Sequence, residues 1–237
     1  MRALVTGATG FIGSALVSHL SVGGWFVRAA TRDATRPVTC GERVVVGNIS
    51  AKTEWSAALR DVDVVFHLAG LAHLLAKKEN ATAQYEELNA EATENLAAAA
   101  ASAGVRRFVY LSSAKVAGEA STRPFRESDP PQPPDRYASS KLHGEQLVQE
   151  TATRRSIEYS VVRPPLVYGP RVRGNFLSLL RIVDRGVPLP LGRIDNRRSY
   201  IAVDNLVDAL KFAASRPQAA NQIFFVSDDD DVSTPEL

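Results

Sequence analysis

Apolar runs of strand length alternate with stretches of helical spacing along most of the 237-residue chain. Residues 3–6, 26–30, 44–46, 62–68, 108–111 and 159–162 are short, rich in Val and aromatic side chains, and predict strands. Between them, 11–20, 53–59, 83–103 and 137–151 have the length and composition of helices. Strands buried on both faces read as continuous apolar runs, so the series predicts an α/β fold, a doubly wound parallel sheet with helices on both sides. After Arg163 the rhythm changes. Pro164, Pro165, Pro170, Pro188 and Pro190, with Gly169, Gly174, Gly186 and Gly192, make a loop-rich stretch around one helix, 175–184. A further helix, 204–215, is expected to start on Asp204 as its N-cap and to lead into a strand, 222–226. The chain thus divides into a sheet-forming part, 1–163, and a mixed part, 164–237, shared between the sheet and a small lobe. There is no internal repeat or long linker, and the alanine-rich 97–101 sits inside a helical pattern.

Composition narrows the classes open to such a chain. With 45% hydrophobic and 23% charged residues it has the profile of a globular domain, not a disordered one. Lys and Arg number 28 against 26 Asp and Glu, and the basic residues cluster only as short Arg pairs, so nothing marks a nucleic-acid surface. No apolar run nears the ~20 residues of a membrane span. Gly7, Gly10 and Gly13 interrupt the N-terminal apolar stretch where a signal peptide needs an unbroken one. The single Cys40 cannot form an internal disulfide, no Cys/His cluster has metal-ligand spacing, and a reducing cytoplasm is the expected setting.

Val5-Thr6-Gly7-Ala8-Thr9-Gly10-Phe11-Ile12-Gly13 places GxxGxxG between the first predicted strand and the first helix. Glycine permits a tight turn at 7, close approach of backbone to a pyrophosphate at 10 and helix–strand packing at 13, while the helix N-terminus offers free N–H groups to the anion. This context predicts dinucleotide binding along Gly7, Gly10, Phe11, Ile12 and Gly13. At the end of the second strand, where a carboxylate would take the ribose hydroxyls of NAD, stand Thr31 and Arg32. A guanidinium suits the 2′-phosphate of NADP, which is therefore favoured. NAD stays open, with Asp33 as an alternative carboxylate and Arg32 as one solvated Arg among Arg28, Arg32 and Arg36.

Tyr137-Ala138-Ser139-Ser140-Lys141 is YxxxK in a helical stretch, which puts Lys141 one turn from Tyr137 on the same face. An adjacent ammonium and a cationic nicotinamide are expected to favour the phenolate, making the phenol an acid/base at neutral pH. Ser113, just past the strand 108–111, can hydrogen-bond the same substrate oxygen.

Taken together, these segments resemble the extended short-chain dehydrogenase/reductases, in the nucleotide-sugar epimerase/dehydratase group. The matching residues are 5–13, Gly47-Asn48-Ile49, His67-Leu68-Ala69-Gly70, YLSSAKVAG (110–118), YASSK (137–141), RPPLVYGP (163–170) and RRSYIAVDNLVDA (197–209), in the family's order over nearly the whole chain. The resemblance implies a Rossmann domain over 1–163 and a substrate lobe drawn from 164–237. It implies that Ser113, Tyr137 and Lys141 are catalytic, that Asn48 and Ile49 lie near the adenine, and that Leu68, Ala69 and Gly70 run along the cofactor. Asn175 and Arg198 would hold the sugar nucleotide and its diphosphate, a structural ion pair being the alternative for Arg198. Asn89 would be the helix asparagine that supports the active site, or else a plain helix-face residue. A UDP-sugar is the implied substrate, and a homodimer is left open.

The group's dehydratases carry an Asp-Glu pair directly after the catalytic Ser or Thr, to eliminate water across C5 and C6. Here Ala114 and Lys115 take those places, which disfavours dehydration. C4 epimerisation and NADPH-dependent reduction of a 4-keto sugar remain, and Arg32 leans to reduction. Ala117, where the group commonly has Tyr, predicts altered contacts around the sugar. The rival from another class is a catalytically silent NADP-binding regulatory protein of the same fold, against which the intact Ser113, Tyr137 and Lys141 argue. His19, His73 and His143 read as surface or half-buried residues, and 228–231 as a solvated loop. Ser233-Thr234-Pro235-Glu236 reads as a helix start, so the natural protein is expected to continue past Leu237.

Overall fold

A computed structural model describes residues 1–38, 41–72, 81–172, 174–186 and 189–237, with the backbone alone at Asn175; Cys40, His73 and Pro188 lie outside the described residues. The apolar runs form β1 (Arg2–Thr6), β2 (Phe26–Thr31), β3 (Glu42–Val45), β4 (Val64–His67), β5 (Arg107–Leu111) and β6 (Glu158–Arg163), followed by β7 (Leu166–Tyr168), β8 (Tyr200–Ala202) and β9 (Gln222–Phe225). The helices are α1 (Phe11–Val22), α2 (Ser56–Leu59), α3 (Ala81–Glu86), α4 (Ala92–Ser102), α5 (Arg136–Arg155), α6 (Asn175–Asp184) and α7 (Val203–Ser215).

Seven parallel strands lie in the order β3-β2-β1-β4-β5-β6-β9. The order reverses between β1 and β4, so the loops leaving their C-terminal ends diverge and open the crevice in which such sheets bind ligands. Every residue of β4 is buried, which is why it reads as an unbroken apolar run. On one face α1 and α7 bring Leu16, Leu20, Leu206 and Leu210 against Val5, Val27 and Phe66. On the other, α2, α4 and α5 bring Leu59, Leu96 and Val148 against Leu4, Val65 and Phe108. The segment after β6 leaves the sheet and returns to it at β9, which pairs with β6.

Several local expectations need correction. The helix expected over 83–103 is three pieces, because a π-helical turn, Glu87–Glu91, separates α3 from α4. α7 begins one residue earlier than expected, on an Ala202 N-cap without side-chain help; Asp204 sits in its first turn, where its charge complements the dipole. β7 and β8 form a separate two-stranded sheet that short runs among prolines did not announce. Asp228 is no mere solvated charge: it accepts from Tyr168 Oη (2.8 Å), Asn205 Nδ2 (2.7 Å) and the Ala202 N–H (2.9 Å), pinning that small sheet to α7. Arg28 is buried, bonded to Glu42 and to the Ala58 and Arg60 carbonyls, and so stands apart from the exposed Arg32 and Arg36. His19 and His143 pair at the surface with Asp208 and Glu86. Among the described residues no helix is long and apolar enough to cross a membrane, and no group of His, Cys, Asp or Glu could hold a metal ion.

Candidate active site

A cleft of about 1200 Å³ runs from the β1–α1 turn to the first turn of α5. Its first wall is the glycine turn. Gly7 has φ +67, and a Cβ there would lie 2.8 Å from the Ala69 nitrogen and the Leu68 carbonyl carbon. A Cβ on Gly13 would lie 2.7 Å from the Gly7 carbonyl carbon, so α1 can pack this close only without a side chain. Gly10 caps α1 in an extended conformation with no side-chain bond, which leaves the helix's first N–H groups pointing to the cleft wall that Gly10, Phe11, Ile12 and Gly13 form. These residues fit a dinucleotide pyrophosphate.

A second hollow, about 250 Å³, opens from the same glycines toward β2 and is lined by Thr31, Arg32, Asp33, Arg36, Gly47, Ile49, Leu68, Ala69 and Gly70. It lies at the end of the second strand, where the sequence leads one to expect the adenosine ribose. Arg32 and Arg36 both reach it; Asn48 lies between two of its lining residues without being one itself. Asp33 is turned to its own loop, accepting from the Thr35 hydroxyl and N–H, which hold its carboxyl below the ordinary value.

The strip that follows β4 is held by a chain of buried hydrogen bonds. Thr6 Oγ1 lies 2.8 Å from His67 Nδ1, and His67 Nε2 lies 3.0 Å from Thr93 Oγ1. Thr93 spends its one proton on the Asn89 carbonyl (2.9 Å), so it accepts from Nε2–H; Nδ1 then accepts from Thr6, whose oxygen also takes the Ala69 N–H at 3.1 Å. His67 is therefore neutral, and burial, with help from the Lys141 charge, pushes it down to about 3. Asn89 sits in the π-helical turn, where its side chain grips Leu71 from both sides (N–H to Oδ1 2.8 Å, Nδ2 to carbonyl 3.0 Å) and donates to Ser140 Oγ (3.0 Å). Its carbonyl also takes the Tyr110 hydroxyl at 3.0 Å, a bond the widened turn leaves room for. Asn89 is thus a brace between the strip after β4 and α5, not a plain helix-face residue.

Ser113, Tyr137 and Lys141 meet at the far wall. Asp135 caps α5 by accepting from the Ala138 N–H (2.8 Å), which fixes the first turn that carries Tyr137. Burial pushes the phenol above its ordinary value, a hydrogen bond with Ser113 pulls it down, and Asp135 and Tyr85 push it up. The expected lowering of the phenol is thus not met in the chain alone, where burial prevails. Lys141, one turn on, is buried with Nζ 4.0 Å from the Tyr110 ring centroid; burial brings it down to about 7 against the attraction of Glu145. Glu145, a turn further, is fully buried and bonded to Arg163 at 3.0 and 2.6 Å.

The NAD dependent epimerase/dehydratase family model matches residues 3–226. The chain belongs to that family. It is accordingly an enzyme of the short-chain dehydrogenase/reductase type. UDP-glucose 4-epimerase of Vibrio cholerae is 41% identical over 239 residues, 99% of this chain and 73% of that enzyme. UDP-glucose 4-epimerase of Mycolicibacterium smegmatis is 31% identical over 255 residues, 100% of this chain and 80% of that enzyme. MoeE5, solved in complex with UDP-glucose and NAD, superposes with a TM-score of 0.83 at 32% identity, covering 100% of this chain and 79% of MoeE5.

For this epimerase/dehydratase family member, the rest of the cleft wall includes Leu111, Ser112, Pro164, Pro165, Leu166, Val172 and Phe176, with Tyr85 from α3, whose ring stands 6.1 Å from that of Tyr137. Asn175 starts α6 beside Phe176. Arg198 is not brought to the cleft: it is exposed, and its backbone bridges to Val232 at 3.0 and 3.2 Å. Tyr85, Lys115 and Asp135 line the cleft and were not read as site residues. Asp135 did carry a signal, as an N-cap residue just before the YxxxK helix.

Proposed function

We propose that the chain moves a hydride at C4 of a UDP-sugar, with Tyr137 exchanging the proton at the C4 oxygen. The observation that carries this is the convergence of Tyr137, Ser113 and Lys141 on the wall that faces the end of the glycine-lined strip. A nicotinamide cofactor, when bound, gives or takes the hydride. Ser113 Oγ holds the phenol and the substrate oxygen on one point. As a C4 ketone becomes an alcohol, the Tyr137 proton passes to its oxygen, and Lys141, poised near pH 7, replaces it.

The relatives named as 4-epimerases support C4 as the reacting carbon. Net reduction of a 4-keto UDP-sugar by NADPH is the reading we favour, because two guanidinium side chains, Arg32 and Arg36, line the ribose end. C4 epimerisation with retained NAD is the second reading, supported by the same relatives' names. The test is consumption of NADPH with a 4-keto UDP-sugar by the enzyme and by Tyr137→Phe. Loss of at least about a hundredfold in kcat, with NADPH affinity near normal, is expected; a variant keeping a tenth or more of the activity removes Tyr137 as the proton donor.

A further inference from the structure

Ser113 and Tyr137 come from segments far apart in the chain, joined by residues 118–135, which hold no regular element. Besides the packing of α5 on the sheet and the Ser113–Tyr137 bond, two bonds link the segments that carry them. One is a backbone bond from the Gln132 N–H to the Val116 carbonyl (3.1 Å). The other is an ion pair: Lys115 Nζ reaches Asp135 Oδ2 at 2.7 Å. Both residues of that pair are also bonded within the turns that carry the hydroxyls, Lys115 through its backbone. The Lys115 N–H donates to Ser113 Oγ at 3.2 Å, and the second Asp135 oxygen accepts from the Ala138 N–H in the turn that bears Tyr137. Lys115 and Asp135 line the cleft together with Ser113 and Tyr137. Where the family's dehydratases place an acid, this chain places a cation, and it is held by a carboxylate of its own.

We propose that Lys115 is a positioning residue that ties the Ser113 turn to the Tyr137 turn and cancels the Asp135 charge beside the phenol, a role that deepens the reading of Tyr137 as the proton donor and rests on it. The groups that act on the phenol are Asp135 on α5, Tyr85 on α3 and Ser113 after β5, and Lys115 and Lys141 line the same cleft. Glu119 lies 3.8 Å from Lys115 Nζ, and Arg136 shares the cleft wall. Asp135 raises the phenol, and the Lys115 ammonium bonded to that carboxylate carries the opposite charge. Asp135 stays ionised: burial raises it, but the Ala138 N–H and Lys115 more than offset this. Asp135 in turn raises Lys115, chiefly through their hydrogen bond.

The experiment follows the phenolate absorbance of Tyr137, isolated as the difference between each protein and the same protein carrying Tyr137→Phe, together with kcat. Both side chains are partly exposed, so the variants are expected to fold. Lys115→Met should raise the phenol's midpoint by about half a pH unit and lower kcat several-fold, and Lys115→Arg should restore both. Asp135→Asn should lower the midpoint. The double variant Lys115→Met/Asp135→Asn should return the midpoint to near the parent value while kcat stays low, since the charge is balanced but the tie is gone. An unchanged midpoint in Lys115→Met, or a shift that persists in the double variant, overturns the proposal. Because the titration reads the phenol itself, it judges Lys115 even if Tyr137→Phe retains turnover and the C4 reading falls.

Discussion

His67 makes the chain's stability depend on pH in a way that can be worked out. The side chain has no exposed surface, lies 5.8 Å from the Tyr110 ring in a stacked arrangement, and has both ring nitrogens engaged. Its folded value of about 3 lies far below the 6.5 of an exposed imidazole. Between those two values the unfolded chain binds a proton that the folded chain refuses, so stability is lost as pH falls from 6.5 toward 3 and is level above that window. The loss follows RT ln(1 + 10^(6.5 − pH)), about 0.2 kcal/mol at pH 7 and about 2 kcal/mol at pH 5. The figure at pH 5 rests on the unfolded value alone, provided the folded one stays below about 4. His67→Gln removes the titration. It should cost about 1–3 kcal/mol at pH 7 through the disturbed bonds to Thr6 and Thr93. The gap between parent and variant should then narrow by about 2 kcal/mol at pH 5. Urea unfolding of both proteins at the two pH values measures it. A gap that stays constant within about half a kcal/mol would show that the folded chain accepts a proton at His67 and would refute the neutral relay.

Two further outcomes follow from the cofactor end of the cleft. Gly13→Ala forces a methyl group against the Gly7 carbonyl and should destabilise the chain by about 1–3 kcal/mol while weakening NAD(P)H binding at least about tenfold, read by thermal melts and fluorescence titration. A variant with parent-like affinity would remove the glycine turn from the cofactor site. Arg32→Ala should weaken NADP about tenfold and leave NAD nearly unchanged; equal losses for both would make Arg32 a surface charge.

The sheet was legible because its chemistry is local. Runs such as Val64 to Phe66 are buried on both faces and need no long-range information to be read as strands. The glycine turn and YxxxK were legible for the same reason, since a turn and one helix face are fixed by neighbours in the chain. β7 and β8 escaped because three-residue strands have no periodicity and are made by pairing Leu166 with Tyr200 across the loop-rich segment. The His67 relay escaped because its partners, Thr6 and Thr93, sit in other elements, and a histidine among apolar residues carries no sign of them. Lys115 was noticed for the residue it replaces, while its use depends on Asp135, across the cleft mouth. In the chain alone the Tyr137 phenol is raised, because its burial depends on packing by α3 and the β5 turn, which helix spacing does not encode.

Hydride transfer at C4 of a UDP-sugar is tested most directly by supplying a 4-keto UDP-sugar with NADPH carrying deuterium at the transferable position of the nicotinamide, then locating the label in the product by NMR. Deuterium at C4 of the resulting alcohol, absent when Tyr137→Phe is used, is the predicted result. Label at any other carbon, or a C4 alcohol without label, would contradict it.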